Sequence, residues 1–243
     1  MPRVSARPTL PEIDHQLHSA GERGADALFR RGEEVVRRLT DPAELRSLVE
    51  QVLADETRLA RIAARSYYHA NNFLKVVLMG GAGDTWKLRL HVWHPQPAGA
   101  TLKQEDVHSH RWDFTTAIVL GKYHAREFGI APGEEYHHYN YLPVGDSRSF
   151  SLVSRGPEQL RTVFDATLPM GTVYHLDHRV LHSISQADTE PVASVVMQGV
   201  PVRDATDVYR TTRIGDEPTT ENAVHRPSSA LLAKELVQFL SWI

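Results

Sequence analysis

Val107-His108-Ser109-His110-Arg111-Trp112-Asp113-Phe114 is the stretch from which the rest of this 243-residue chain can be read. His108 and His110 are two positions apart, so in an extended strand both imidazoles project to one face. Neutral imidazole is the commonest protein ligand for transition metals, and two nitrogens leave an ion short of one or two partners. A second β-branched run, Val180-Leu181-His182-Ser183-Ile184, carries one histidine at its centre. If that run faces the first, His182 supplies the third nitrogen. Three protein ligands with positions left open describe a catalytic metal site; a structural site closes its shell.

The spacing of these residues resembles the two motifs of the cupin superfamily. In the first, His108-x-His110 is followed by three residues, then by Phe114 where the family has glutamate, then by six residues and Gly121. Leu102 stands where that motif opens on glycine. In the second, Gly171 and five residues lead to Asp177, Arg179 and His182, with Gln186 at the place of the closing asparagine. Asp177 and Arg179 replace a proline and a glycine. The likeness spans roughly residues 107–186. It implies a double-stranded β-helix, or jelly roll, with the metal on His108, His110 and His182. Phe114 removes the usual carboxylate ligand, and a three-histidine site of this kind is similar to the thiol dioxygenases, cysteine dioxygenase and its relatives. The resemblance thus implies an Fe(II) enzyme that joins O2 to a small thiol or amino-acid-like substrate. The serine–histidine–tyrosine relay of that branch has no counterpart in the sequence pattern. Cupins also dimerise by strand exchange, so a homodimer is expected by analogy.

Composition narrows the classes. The chain is 41% hydrophobic and 23% charged, as in a soluble globular protein, and it is long enough for a substantial core. The net charge is −3 and the basic residues are dispersed, so no nucleic-acid surface is expected. There is no cysteine, which excludes disulfides, thiolate ligands and a cysteine nucleophile and points to a cytoplasmic setting. Residues 1–10 lack a signal-like apolar core, and no apolar run is long enough to span a bilayer, so no membrane role is expected. Fourteen histidines raise the prior on metal chemistry.

Three segments are expected: an arm and helical extension over 1–70, the cupin β-barrel over 71–205, and a tail with a short helix over 206–243. Residues 1–20 hold three prolines without a sustained period and read as an arm or loop, with His15 and His18 on a solvated segment. From residue 24 the apolar spacing turns helical, and Asp41-Pro42-Ala43-Glu44 starts a second amphipathic helix running to about residue 65. At Phe73 the period becomes that of strands. About ten short strands follow with no helix between them, with hairpin turns read at Ala131-Pro132-Gly133-Glu134 and at Gly156-Pro157. A terminal helix is read over residues 228–242, with Leu231, Leu232, Leu236 and Phe239 facing the core. The fold class is therefore mainly β.

Around the metal, Trp112 and Phe114 are expected to form an apolar wall for the substrate. In residues 86–93, Lys87, Arg89 and His91 share one strand face, which ordinarily faces solvent. Should it line the barrel instead, Arg89 becomes an anchor for a substrate carboxylate or phosphate. His175, seven residues before His182, is the candidate acid–base residue beside the pocket. Asp113 points away from the histidine face in a regular strand and reads as structural. His137 and His138 point to opposite faces and read as surface residues. Fe(II) suits three neutral nitrogens and open facial positions, while nickel, manganese, copper and zinc fit the same ligands. A metal-dependent isomerase, lyase or decarboxylase and a non-catalytic ligand-binding cupin are the alternative functions.

Overall fold

The computed structural model describes residues 9–69, 72–102, 104–144, 149–214, 219–222 and 225–243. Four helices come first: α1 (Leu10–Glu22), α2 (Ala25–Arg38), α3 (Pro42–Leu53) and α4 (Glu56–Arg65). Residues 1–20 are thus not all arm or loop. Thr9 caps α1, its hydroxyl accepting from the Glu12 N–H while the Glu12 carboxylate accepts from the Thr9 N–H, and Pro11 sits in the first turn. Leu10, Ile13 and Leu17 are buried, a helical stripe that the three prolines obscured. The span from Asp41 to residue 65 is also two helices. Asp41 caps α3, and Asp55 caps α4 by accepting from the Arg58 N–H, breaking what periodicity joins.

Twelve strands follow: β1 (Tyr67–His69), β2 (Phe73–Gly80), β3 (Lys87–Trp93), β4 (Val107–His108), β5 (Phe114–Leu120), β6 (Lys122–Val144), β7 (Ser149–Pro169), β8 (Val173–Leu176), β9 (Leu181–Gln186), β10 (Val192–Gln198), β11 (Thr206–Arg210) and β12 (Thr219–Asn222). They form two six-stranded antiparallel sheets. One is ordered β1-β2-β3-β10-β5-β8, and the other β11-β4-β9-β6-β7-β12, with β11 also pairing β6. Helix α5 (Ser229–Leu240), capped by Ser228, closes the chain. The protein is mainly β, with helices at both ends and a jelly-roll pair of sheets. Among the described residues, no helix is long and apolar enough to cross a membrane.

Neither expected hairpin turn is a turn. β6 and β7 pair from Lys122↔Pro169 to Val144↔Ser149; the first segment is a bulge in that ladder, and Gly156-Pro157 is paired with His138 and His137 beside a one-residue bulge at Arg155. Residues 131–133 loop out between Ile130 and Glu134, which both face Leu160. A Cβ on Gly133 would lie 2.3 Å from the Leu160 carbonyl oxygen, so only glycine fits there. Turns and bulges draw on the same residues, and the pattern alone does not separate them.

The first sheet has two buried faces of opposite character. Leu74, Val76, Leu88, Leu90, Val92, Val195 and Met197 pack outward against Leu28, Val36, Leu45, Leu232 and Phe239 of the helices in the main core. Each fully buried leucine contributes about 1.5–3 kcal/mol. Helix α2 runs so close to β10 that a Cβ on Gly32 would fall 2.4 Å from the Met197 Cγ. The alternate positions, Lys75, Arg89, His91, Ser194 and Gln198, turn into the barrel. Arg89 is 6% exposed, and Lys87 and His91 beside it are half-buried, so this face of β3 lines the interior at Arg89 and is not a solvent face. Helices cover the apolar face, which leaves the polar face to the inside of the barrel.

Candidate metal centre

Strand β4 is held between β9 and β11, and His108 stands directly opposite His182 on β9. His110 follows the end of β4 and is fixed by its backbone N–H, which donates to the His178 carbonyl at 3.1 Å. One nitrogen from each of His108, His110 and His182 lies within 4.8 Å of the others. The Nε2 atoms of His110 and His182 are 2.8 Å apart, and the His108 ring centre is 4.9 Å from that of His110 and 4.7 Å from that of His182. Two ligand nitrogens at about 2.1 Å from an ion and at right angles are about 3 Å apart, the spacing of His110 and His182 here. The Nδ1 of His108 is 2.8 Å from the Asp106 carbonyl; donating there leaves Nε2 with its lone pair toward the cluster.

Burial depresses the basicity of all three imidazoles below the ordinary 6.5, most strongly for His110 and His182. For His110 the neighbouring His108, His182, Lys75 and Arg89 add to the effect. For His108 the Asp106 carbonyl works against burial. The cluster is therefore neutral, as metal ligation requires.

Phe114, at the position of the family's glutamate, packs edge-on to His110 at 4.9 Å and is 6% exposed. Trp112 lies 5.8 Å from His110, and the Arg89 guanidinium sits 5.3 Å over the Trp112 ring while donating to Gln198. The structure thus brings Trp112, Phe114 and Arg89 to the histidines. It does not bring His175. That residue pairs with Thr115 on the outer face of the first sheet, is exposed, and meets Phe29 of α2 edge-on at 4.6 Å. Its neighbours Tyr174 and Leu176 take the inward positions, as strand alternation demands.

Two supporting networks escaped the sequence reading. Asp113 turns from the histidines to His178, accepting from its backbone N–H and from its ring Nδ1, each at 2.7 Å. This latch ties the turn before β9 to the first metal strand. On the other side Ser109, between the two histidines, exchanges hydrogen bonds with Asp207 of β11. The Ser109 N–H donates to the Asp207 carbonyl, the Asp207 N–H to the Ser109 hydroxyl, and that hydroxyl to Oδ2. Arg203 donates to Oδ2 at 2.6 Å, and His138 and Asn140 to Oδ1. Burial raises the carboxyl, but the donors, His138 and Arg203 foremost, outweigh it and hold Asp207 well below the usual carboxylate range. His138 is accordingly no surface residue: it is half-buried and stacked on Tyr209 at 4.4 Å. An aspartate within Thr206-Asp207-Val208-Tyr209-Arg210, a run that otherwise reads as a strand, was the available signal.

No protein-family model and no curated protein sequence matches the chain. The chain is similar in structure to the Drosophila melanogaster CENP-C cupin domain, with a TM-score of 0.35 and 9% identity over 55% of this chain and 74% of that one. It is similar to TT1209 from Thermus thermophilus, with a TM-score of 0.33 and 16% identity over 60% and 94% of the two chains. It is also similar to hydroxypropylphosphonic acid epoxidase from S. wedmorenis, with a TM-score of 0.31 and 12% identity over 52% and 50%. Of these three, the first is described as a cupin domain and the third as an epoxidase.

Proposed function

We propose that His108, His110 and His182 hold one divalent metal, Fe(II) in the first instance, and that the protein is a cupin dioxygenase acting with O2 on a small thiol or amino-acid-like molecule. The observation that carries this reading is the convergence of three neutral imidazole nitrogens on one point, His182 buried and His108 and His110 half-buried. Fe(II) would supply redox chemistry toward O2 and open positions for substrate. The chain's own residues do the rest. Trp112 and Phe114 exclude water from one side of the ligands, and Arg89, anchored on Gln198 and Trp112, presents a fixed cation to an acidic substrate group. His175 is left out, since it lies on the far side of the sheet.

Nickel, manganese, copper and zinc suit the same nitrogens, and with a redox-inert ion the same pocket serves isomerase, lyase or decarboxylase chemistry. The deciding experiment is metal analysis of protein purified without a histidine tag, alongside His182→Ala. Near-stoichiometric iron that disappears in the variant, with oxygen uptake on thiols or amino acids, is the expected result. Zinc, nickel or manganese at that occupancy moves the reaction to the non-redox classes. Absence of any metal after anaerobic loading with Fe(II) overturns the enzyme reading and leaves a ligand-binding barrel.

A further inference from the structure

We infer that Lys75 is an amine nucleophile: its Nζ condenses with a small aldehyde or ketone, between the Tyr67 phenol and the His91 imidazole. This activity is separate from the metal chemistry proposed above and does not depend on it. Strand register sets the three side chains in one row. Tyr67 on β1 stands directly opposite Lys75 on β2, and Lys75 directly opposite His91 on β3. Lys75 is 9% exposed, whereas Lys87 is half-buried and Lys122 and Lys234 are exposed. Its Nζ lies 5.2 Å from the Tyr67 ring centre and 5.3 Å from that of Phe73, and it bonds to the Tyr67 hydroxyl. Phe73 also belongs to the wall of a cavity of about 370 Å³, bounded by β1, β2, His94 and Glu235, which has room for a small carbonyl compound.

An ammonium taken out of water shifts toward its neutral form unless a carboxylate matches it. Burial lowers Lys75 below the ordinary lysine value; Tyr67 works against this and Arg89 adds to it. Among the described residues no carboxylate is ion-paired with Lys75, and the buried Glu105 favours the ammonium less than Tyr67 does. A lysine desolvated beside another cation is an established way to hold a nucleophilic amine near neutral pH. His91 supplies an independent sign. Its Nε2 is sealed from water with no hydrogen-bond partner, a costly state for a polar atom. Burial foremost, then Lys75 and Arg89, hold His91 far below 6.5, so the ring is neutral and can exchange a proton at that nitrogen. The step balances without an oxidant. The Nζ lone pair bonds to the carbonyl carbon, and the carbonyl π pair moves to oxygen, which takes the Tyr67 hydroxyl proton. The nitrogen gives a proton to His91. The carbinolamine hydroxyl recovers that proton and leaves as water while the nitrogen lone pair closes the C=N bond. The iminium proton then passes to the Tyr67 phenolate.

The test traps the imine. Full-length protein, stripped of metal with a chelator, is incubated near neutral pH with acetone or pyruvate and cyanoborohydride, and the reduced adduct is mapped by peptide mass spectrometry over the five lysines of the chain. Lys75 should be modified about tenfold or more over Lys87, Lys122 and Lys234, in wild type and equally in His182→Ala. Lys75→Arg, which keeps a cation, should lose the adduct. Tyr67→Phe and His91→Gln should each slow its formation by about tenfold or more and leave Lys75 the preferred lysine. Unfolding in guanidinium should erase the preference. No adduct on Lys75 with either probe, label spread evenly over the lysines, or a preference that survives unfolding overturns the inference. Undiminished trapping in both Tyr67→Phe and His91→Gln overturns it as well. An adduct that needs loaded metal and vanishes in His182→Ala also overturns it, since the ion then activates the carbonyl, and the metal proposal survives. A selectively labelled Lys75 in protein that takes up no metal leaves this inference standing while the metal proposal fails.

Discussion

Replacing Asp207 should unseat the segment that carries His108 and His110. Its carboxylate accepts from Ser109 and Arg203 on one oxygen and from His138 and Asn140 on the other, at 2.6–3.1 Å. A hydrogen bond to a charged group contributes about 1.5–3 kcal/mol. The four are not additive, and Arg203, with 30% of its side chain exposed, is partly compensated by water. Asp207→Ala should therefore cost about 3–4 kcal/mol, most of it from donors left without an acceptor. For a chain of this size that is a fall in melting temperature of about 10 °C. Chemical denaturation reads the first number and calorimetry the second. Metal affinity should drop by about 10–100-fold, because Ser109 loses the partner that fixes its two flanking histidines. Asp207→Asn should fall between wild type and alanine. The sign with pH is set by a carboxyl depressed in the folded state: its contribution is present above the ordinary carboxyl value of about 4 and is lost on acidification below it. The gap between wild type and Asp207→Asn should thus narrow below about pH 4. An alanine variant within about 1 kcal/mol of wild type that takes up metal normally refutes the reasoning.

Three further outcomes follow from other contacts. Gly32→Val should lose about 1–3 kcal/mol in urea unfolding, because the new side chain meets Met197 in the core; unchanged stability would mean that α2 does not ride so close on β10. His175→Ala should keep its metal and turnover and lose only the edge contact with Phe29, about 0.5–1.5 kcal/mol; loss of metal would return His175 to the site. Glu235 of α5 lies 2.7 Å from the His94 Nε2 and accepts from the Tyr68 hydroxyl at 2.6 Å, which raises His94 and lowers Glu235. The histidine's contribution is complete below its ordinary 6.5 and fades as pH rises through its raised value; the carboxylate's is complete above 4.5 and fades on acidification. Amide exchange in α5, corrected for intrinsic rate, should be slowest between those values, and His94→Gln should abolish the alkaline limb alone.

Much of the site could be read from the chain because its cause is local. His108 and His110 stand two apart, and the resemblance to the cupin motifs brought in His182 as the third ligand; the three nitrogens do converge, with His110 just beyond the end of β4. What failed depended on information that spacing does not hold. His175 obeys the alternation of β8, but which face of β8 looks inward is decided by the packing of α2 on the sheet. Arg89 posed the same question and received the opposite answer. The proline-rich start hid α1 because Pro11 in a first turn favours a helix, whereas proline elsewhere breaks one. The bulges of β6 and β7 were taken for turns because glycine and proline serve both. Asp207 and His178 went unnoticed because each acts through residues far away in the chain.

The direct pairing of His108 with His182 also sets an order of events in folding. The two halves of the centre lie 72 positions apart between His110 and His182. Each must wait for the intervening strands β5 to β8 to be laid down. Contacts between distant positions form slowly, since the loop-closure entropy is lost before they reward it. A nascent chain carrying only the first half offers two nitrogens, and one carrying only the second offers one. Occupancy of the centre would thus report completed topology: an ion held by all three histidines would be held by a barrel that has already closed, and its free energy of binding would act as a late staple across that detour.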